Sequence, residues 1–255
     1  MYSELAKYYD AVYWYKDYDR EVDFLLEIFQ KHGARVRTIL EVACGTGNHA
    51  QILTKRGFEV TGVDISKNVL EVARKKVLRR ASFFQGDMRN LDEVTDREFD
   101  AVICLFSAIS YNLSYADLGR TVGGFYSHLR DNGVAVFDTH FTGKGFVDGY
   151  RDESAFDDGS VIGARICTSK RRGNIGELSF TYLIKDGRKV IALRDDVHRL
   201  GLFDSQDFLR AMKEAGFIET RRYVDWTFKP GGKTLFEDEI YVGVKPRGMS
   251  AIRSD

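Results

Sequence analysis

The 255-residue chain has little of what would assign it to several common classes. Three cysteines, at positions 44, 104 and 167, are too few and too widely spaced for a disulfide framework or a metal motif. There is no excess of charge of either sign: 38 Lys and Arg stand against 38 Asp and Glu. That balance argues against a dedicated nucleic-acid binder, which would show a basic excess or patch. No run approaches the roughly 18 apolar residues of a membrane span. The first residues, Met1-Tyr2-Ser3-Glu4-Leu5-Ala6-Lys7, lack the apolar centre of a signal peptide. Internal repeats and low-complexity tracts are also missing. These absences leave the expectation of a reduced, cytoplasmic enzyme that binds no metal and no membrane, with one substantial core and room for a small appended lobe.

What is present centres on Thr38 to Asp64. A short apolar run, Ile39, Leu40 and Val42, leads into Cys44-Gly45-Thr46-Gly47. Ala50, Ile52 and Leu53 then fall at helical spacing, Gly57 ends the helix, and Val60, Thr61 and Val63 restore a strand that finishes at Asp64. Strand, glycine loop, helix, strand and acid make the βαβ unit of a nucleoside-cofactor site, in which the acid about 20 residues past the loop accepts from the ribose. The spacing Gly45-x-Gly47-x-x-Ala50 also satisfies a dinucleotide fingerprint. Glu41 opposes that reading, because a carboxylate at the mouth of the loop repels a pyrophosphate. No lysine follows the loop to cradle phosphates either. A ligand with a positive centre, an amino group and a ribose, such as S-adenosylmethionine, suits Glu41 better.

The segments Glu41-Val42-Ala43-Cys44-Gly45-Thr46-Gly47, Val63-Asp64 and Gly86-Asp87-Met88-Arg89 resemble the successive cofactor motifs of class I S-adenosylmethionine-dependent methyltransferases. Ala43 stands where the commoner motif has its first glycine and His49 where it has its third; Ala-Cys-Gly-Thr-Gly is a variant of small-molecule N-methyltransferases. The resemblance implies a Rossmann-like, doubly wound α/β sheet of seven strands, with S-adenosylmethionine as cofactor and S-adenosylhomocysteine as product. It assigns Glu41 to the loop and the methionine end, Asp64 to the ribose, and Asp87 with Met88 to the adenine. Ala43, Cys44, Gly45 and Gly47 of the loop, Ile65 and Leu105 complete the expected cofactor contacts. Tyr9 joins them from the N-terminal aromatic segment, which folds over the cofactor in this family. Tyr13 and Trp14 are candidates on the substrate side, because aromatic faces attract cations.

Further along, Ser66 reads as the N-cap of a helix to Arg80, Ser82–Gln85 as a third strand and Phe99–Phe106 as a buried fourth. Leu118–Leu129 reads as a helix closed by Gly133, and Val134–Asp138 as a fifth strand. Ligands sit beyond the carboxyl ends of parallel strands. Tyr111 and His140, after the fourth and fifth strands, are therefore the candidate catalytic residues. His140 has an unperturbed pKa near neutrality and can take a proton from an amine. His49 reads as a residue of the helix after the loop, and His32, His128 and His198 have no supporting context. Residues 143–160 read as loop. Three strands follow between Val161 and Arg199, joined by hairpin signals at Arg172-Gly173-Asn174 and Asp186-Gly187. On one of them or another, Arg165 and Arg194 could hold an anionic substrate group or simply be solvated. Ser205 reads as the cap of a last helix, and strands Ile218–Trp226 and Glu239–Val244 as a closing antiparallel pair.

The expected organisation is thus a methyltransferase core over 1–141 and 202–247, an antiparallel accessory lobe over 142–201 that covers the pocket or forms a homodimer surface, and a disordered tail over 248–255. The expected activity is methyl transfer to a small acceptor, an amine nitrogen by similarity to sugar-amine and glycine/sarcosine N-methyltransferases. Two other readings stay open at this point: a non-catalytic S-adenosylmethionine-binding regulator and an NAD-dependent dehydrogenase.

Overall fold

Short apolar runs alternating with amphipathic stretches build a doubly wound sheet, seen here in a computed structural model that describes residues 5–32, 34–228 and 237–248. The expected tail lies outside these residues apart from Gly248, whose N–H donates to Asp131 Oδ2 at 2.9 Å. The Lys229-to-Lys233 loop and the first four residues also lie outside them.

The strands are β1 (Thr38–Val42), β2 (Glu59–Asp64), β3 (Ala81–Gln85), β4 (Phe99–Cys104), β5 (Leu129–Thr139), β6 (Arg151–Asp157), β7 (Val161–Arg172), β8 (Ile175–Asp186), β9 (Lys189–Gly201), β10 (Ile218–Val224) and β11 (Glu239–Val244). The helices are α1 (Tyr9–Val12), α2 (Tyr18–Lys31), α3 (Asn48–Lys55), α4 (Lys67–Lys76), α5 (Tyr115–Ser127) and α6 (Ser205–Ala215). Seven strands form one sheet in the order β10-β11-β5-β4-β1-β2-β3, with β11 antiparallel to both of its neighbours. Successive strand residues point to opposite faces. Ile39 accordingly packs with Val22, Leu25 and Leu53 of α2 and α3, while Leu40 packs with Leu118, Phe125 and Phe208 of α5 and α6. After β1 the chain moves outward to β2 and β3, then returns to place β4 on the other side of β1. The loops after β1 and β4 therefore part and leave a crevice at their carboxyl ends.

Several boundaries differ from the sequence reading. The helix expected to reach Arg80 stops at Lys76, because Val77 turns extended and buries its side chain in the core. Helix α5 starts at Tyr115, where the Ser114 hydroxyl accepts from the Asp117 N–H at 3.1 Å; Gly133 lies inside β5 and does not close the helix. Asp204, not Ser205, caps α6, through a reciprocal capping box with Asp207. The Ser205 hydroxyl donates instead to Glu239 at 2.8 Å.

The lobe is a four-stranded antiparallel sheet, β6-β7-β8-β9, so the stretch read as loop contains an extra strand, β6. Charges concealed it: among Arg151, Asp152 and Glu153 the apolar alternation fails, and only Phe156 is buried. The hairpins at Gly173 and Gly187 form as expected, each glycine at positive φ. The N-terminal residues Leu5, Tyr8, Tyr9 and Val12 pack into the lobe's own cluster with Phe146, Phe156, Phe180 and Tyr182, away from the sheet core.

Gly201, where the lobe rejoins the core, lies so close to the Asn112 carbonyl that a Cβ would sit 2.1 Å from it. Gly201→Ala should therefore destabilise the fold by about 1–3 kcal/mol. Gly119→Ala on α5, whose added Cβ meets nothing within 4 Å among the described residues, should stabilise it by roughly 0.5–1 kcal/mol. Thermal denaturation of the two variants checks both signs.

Candidate active site

The loop after β1 turns through three left-handed residues, Ala43, Gly45 and Gly47. Glycine takes this conformation freely, whereas Ala43 does so at a cost of roughly 1 kcal/mol. Asp64 offsets such strain by holding the loop: one carboxylate oxygen accepts from the Gly45 N–H at 2.9 Å and the other from the Ser66 N–H at 2.8 Å. Burial pushes the Asp64 pKa above its ordinary value, against the lowering effect of those two N–H groups.

The N-terminal segment is stitched over this loop by Asp10, which the sequence did not single out. Its carboxylate accepts from Thr46 Oγ1 at 2.6 Å, Asn48 Nδ2 at 3.0 Å and Lys76 Nζ at 2.5 Å. Tyr9 is thereby brought to a small cavity that it lines together with Glu41, Ala43, Cys44, Gly45, His49 and Leu105. Asp64, with the exposed Ile65 after it, and Asp87 with Met88 stand outside this enclosed part, at the ends of β2 and β3. Asp87 is held below the usual carboxylate range by hydrogen bonds from Arg89. Met88 Sδ accepts from Asn112 Nδ2 at 3.7 Å.

His49 does more than extend a helix. Its Nε2 lies 2.7 Å from Glu21 Oε2 and its Nδ1 lies 3.6 Å from Glu41 Oε1, all three residues being buried. Burial alone would lower the imidazole pKa; the hydrogen bonds and charges of the two glutamates outweigh it and raise the value to about 9. The ring is then cationic at neutral pH. Glu41, 2% exposed, keeps one oxygen, Oε2, without a hydrogen-bond partner among the described residues. A buried unsatisfied carboxylate oxygen beside an open glycine loop fits the ammonium of an amino acid moiety, so the residues present suit S-adenosylmethionine.

A second, larger cavity of about 450 Å³ opens between the sheet and the lobe, and Phe106 lines both. Phe106 and Ser107 are consecutive non-glycine residues at positive φ, a strained pair at the end of β4. The strain is braced by β5: the Ser107 N–H donates to Asp138 Oδ2 at 3.1 Å, and the Ser107 Oγ accepts from the His140 N–H at 2.9 Å. Tyr13, Tyr111 and His140 line this cavity, with Phe141, Phe146 and Phe180. Trp14 is not brought there; its side chain is 59% exposed at the surface. Arg165 is brought there, paired with Asp152 at 2.6 Å and stacked 5.5 Å from the Tyr13 ring centroid, whereas Arg194 is exposed. His198, which had no context in the sequence, also lines the cavity and bonds Tyr111.

Acidic groups gather where the cavities meet. His140 Nδ1 lies 3.3 Å from Asp238 Oδ1, and Trp226 donates to the same carboxylate at 3.1 Å. The neighbouring Asp138 is fully enclosed, and burial, reinforced by the Asp238 charge, lifts its pKa from the ordinary 3.8 to about 8. The folded protein thus keeps a proton on Asp138 that the unfolded chain releases, so this group's contribution to stability declines as pH rises from about 4 to 8. Asp138→Asn removes that dependence. The melting temperature of the variant minus that of the parent should grow between pH 5 and pH 8; a constant difference would show that Asp138 is ionised throughout.

Comparison with known proteins agrees with this geometry. A family model described as a methyltransferase domain matches residues 39–133. The chain is 30% identical over 232 residues to the dTDP-3-amino-3,6-dideoxy-alpha-D-glucopyranose N,N-dimethyltransferase of Streptomyces fradiae, covering 90% of this chain and 87% of that protein. It is 32% identical to the dTDP-3-amino-3,4,6-trideoxy-alpha-D-glucopyranose N,N-dimethyltransferase of Streptomyces venezuelae, covering 79% and 84%. Among solved structures, a sugar N-methyltransferase from Streptoalloteichus superposes with a TM-score of 0.80 at 29% identity over 94% of this chain and 93% of the other. An amino pentose methyltransferase from Micromonospora echinaspora, with S-adenosylmethionine bound, gives 0.76 at 25% identity over 93% and 96%. Loop, fold and relatives converge: the chain belongs to the S-adenosylmethionine-dependent methyltransferase family that includes these aminosugar N,N-dimethyltransferases.

Proposed function

We propose that this methyltransferase acts on the nitrogen of a small amine, of the aminosugar type its relatives are named for, held in the cavity between sheet and lobe. The observation that carries this reading is the aromatic-walled cavity of about 450 Å³ that meets the cofactor loop at Phe106. Aromatic faces and the Asp238 carboxylate suit the amine of such a ligand. When bound, S-adenosylmethionine supplies a methyl group already activated by positive sulfur. The chain's own residues then have to align the acceptor and exclude water, which can provide most of the rate acceleration.

In this reading Glu41 holds the amino end of the cofactor's methionine, Asp64 the ribose, and Asp87 with Met88 the adenine, while Ala43, Cys44, Gly45, Gly47, Ile65, Leu105 and Tyr9 shape the rest of that site. Tyr111 and His140 orient the acceptor nitrogen and Tyr13 packs against it. The lobe serves as pocket cover. Its exposed Ile162, Ile166, Leu183, Val190 and Val197 support a second role as the surface of a homodimer. The three buried, unpaired cysteines suit a cytoplasmic setting.

Calorimetric titration tests the cofactor assignments. S-adenosylhomocysteine should bind and NAD should not, and Asp64→Ala should weaken the former at least tenfold, about the loss of one charge-assisted hydrogen bond. Affinity unchanged by Asp64→Ala would remove Asp64 from the ribose site. Tyr111→Phe should lower kcat by roughly a hundredfold or more, as for a lost proton-transfer contact, with S-adenosylhomocysteine affinity held within about twofold. The reverse pattern would move Tyr111 out of the acceptor site.

A further inference from the structure

We propose that Tyr111, His198 and Asp196 form a proton relay leading out of the acceptor cavity, in which His198 is a positioning residue that acts through Tyr111. The inference rests on the amine reading above and adds a destination for the proton that amine methylation releases.

Three strands of observation support it. The Tyr111 hydroxyl bonds His198 Nδ1, and His198 Nε2 lies 3.1 Å from Asp196 Oδ2, so the three side chains form a continuous chain. Tyr111 and His198 both line the cavity, and the imidazole is nearly buried, packed edge-on against Phe180 with ring centroids 5.2 Å apart. The partners also come from different bodies. Tyr111 ends the short turn after β4, in the core, and His198 and Asp196 lie on β9, in the lobe. The Tyr111–His198 hydrogen bond therefore ties the core to the lobe at the cavity wall.

A carboxylate on Nε2 fixes the neutral imidazole with its proton on Nε2 and its lone pair on Nδ1, toward Tyr111. The Tyr111 oxygen can then accept a proton from the substrate nitrogen while its own proton passes to Nδ1. The result is an imidazolium that the Asp196 charge stabilises. The balance closes: an ammonium acceptor gives up one proton to become a nucleophilic amine, the nitrogen lone pair forms the new C–N bond as the C–S bond breaks, and the proton rests on His198 until solvent takes it. Among the described residues, the other titratable groups around the relay include Tyr9 near Tyr111 and Tyr182 near Asp196. The Arg165–Asp152 pair and the His140–Asp238 pair also bear on the cavity.

The tautomer can be read without any acceptor. Nitrogen-15 NMR of the imidazoles in the complex with S-adenosylhomocysteine, with His198 assigned by its loss in His198→Gln, should show a neutral ring with bare Nδ1 and protonated Nε2. Its Nδ1 shift should move in Tyr111→Phe. An Nδ1 that stays protonated from pH 6 to 9 overturns the relay.

Kinetics give the second arm, with dTDP-3-amino-3,6-dideoxyglucose and glycine as acceptor probes. His198→Gln keeps a hydrogen-bonding group but cannot titrate, so the acid limb of its kcat/KM profile should vanish and kcat should fall at least tenfold. KM for S-adenosylmethionine should stay unchanged, and added imidazole should restore part of the rate. Asp196→Asn should shift the acid limb to a different pH. A parent-like profile in His198→Gln overturns the proposal. If the parent protein methylates neither probe, that result counts against the amine reading alone, since the tautomer is established independently.

Discussion

Much of the site depends on the grip of the Asp64 carboxylate on the Gly45 and Ser66 N–H groups. It ties the end of β2 to the loop that leaves β1, across the pair of parallel strands that begins the fold. The loop can hold Ala43 in a left-handed conformation because that anchor, with Asp10 bonding Thr46 and Asn48 from above, leaves it little alternative.

Around that loop the protein accumulates buried charge, and the arrangement alternates in sign. Lys16 pairs with Glu21, Glu21 with His49, and His49 approaches Glu41. Each charge is desolvated, and each is tolerable only because of its neighbour. The series ends with one carboxylate oxygen of Glu41 unsatisfied among the described residues, and a positive ligand group would complete it. Replacing the usual third glycine by His49 therefore has a physical use: the imidazolium neutralises part of the charge of two buried glutamates at neutral pH. On the other side of Phe106, Asp138 adopts the opposite solution and remains protonated.

The lobe turns an open crevice into a cavity. Its strands carry Arg165, Phe180 and His198 inward, while the N-terminal segment supplies Tyr13 and closes the remaining side through the shared cluster of Tyr8, Tyr9 and Val12 with Phe180 and Tyr182. Excluding water from such a space strengthens every electrostatic contact inside it. The Arg165 side chain illustrates the economy of the wall: it is held by Asp152, stacks near Tyr13 and Phe180, and so stiffens the pocket.

The sequence by itself determined the sheet, the loop and the strand-end positions of Asp64, Asp87, Tyr111 and His140, because each is encoded locally: a period of two, a period of 3.6, a glycine where φ is positive, an acid at the end of a strand. It missed β6, whose charged residues break the alternation, and the cap at Asp204, where two acids and a serine compete for one role. Only the tertiary structure decided the partners. Asp10 meets Thr46 from 36 residues away, His49 meets Glu21 across 28, and Tyr111 meets His198 across 87. Contacts at such separations are set by how helices and lobe pack on the sheet. A histidine's neighbours in space, which set its charge and its tautomer, leave no mark on its neighbours in the chain.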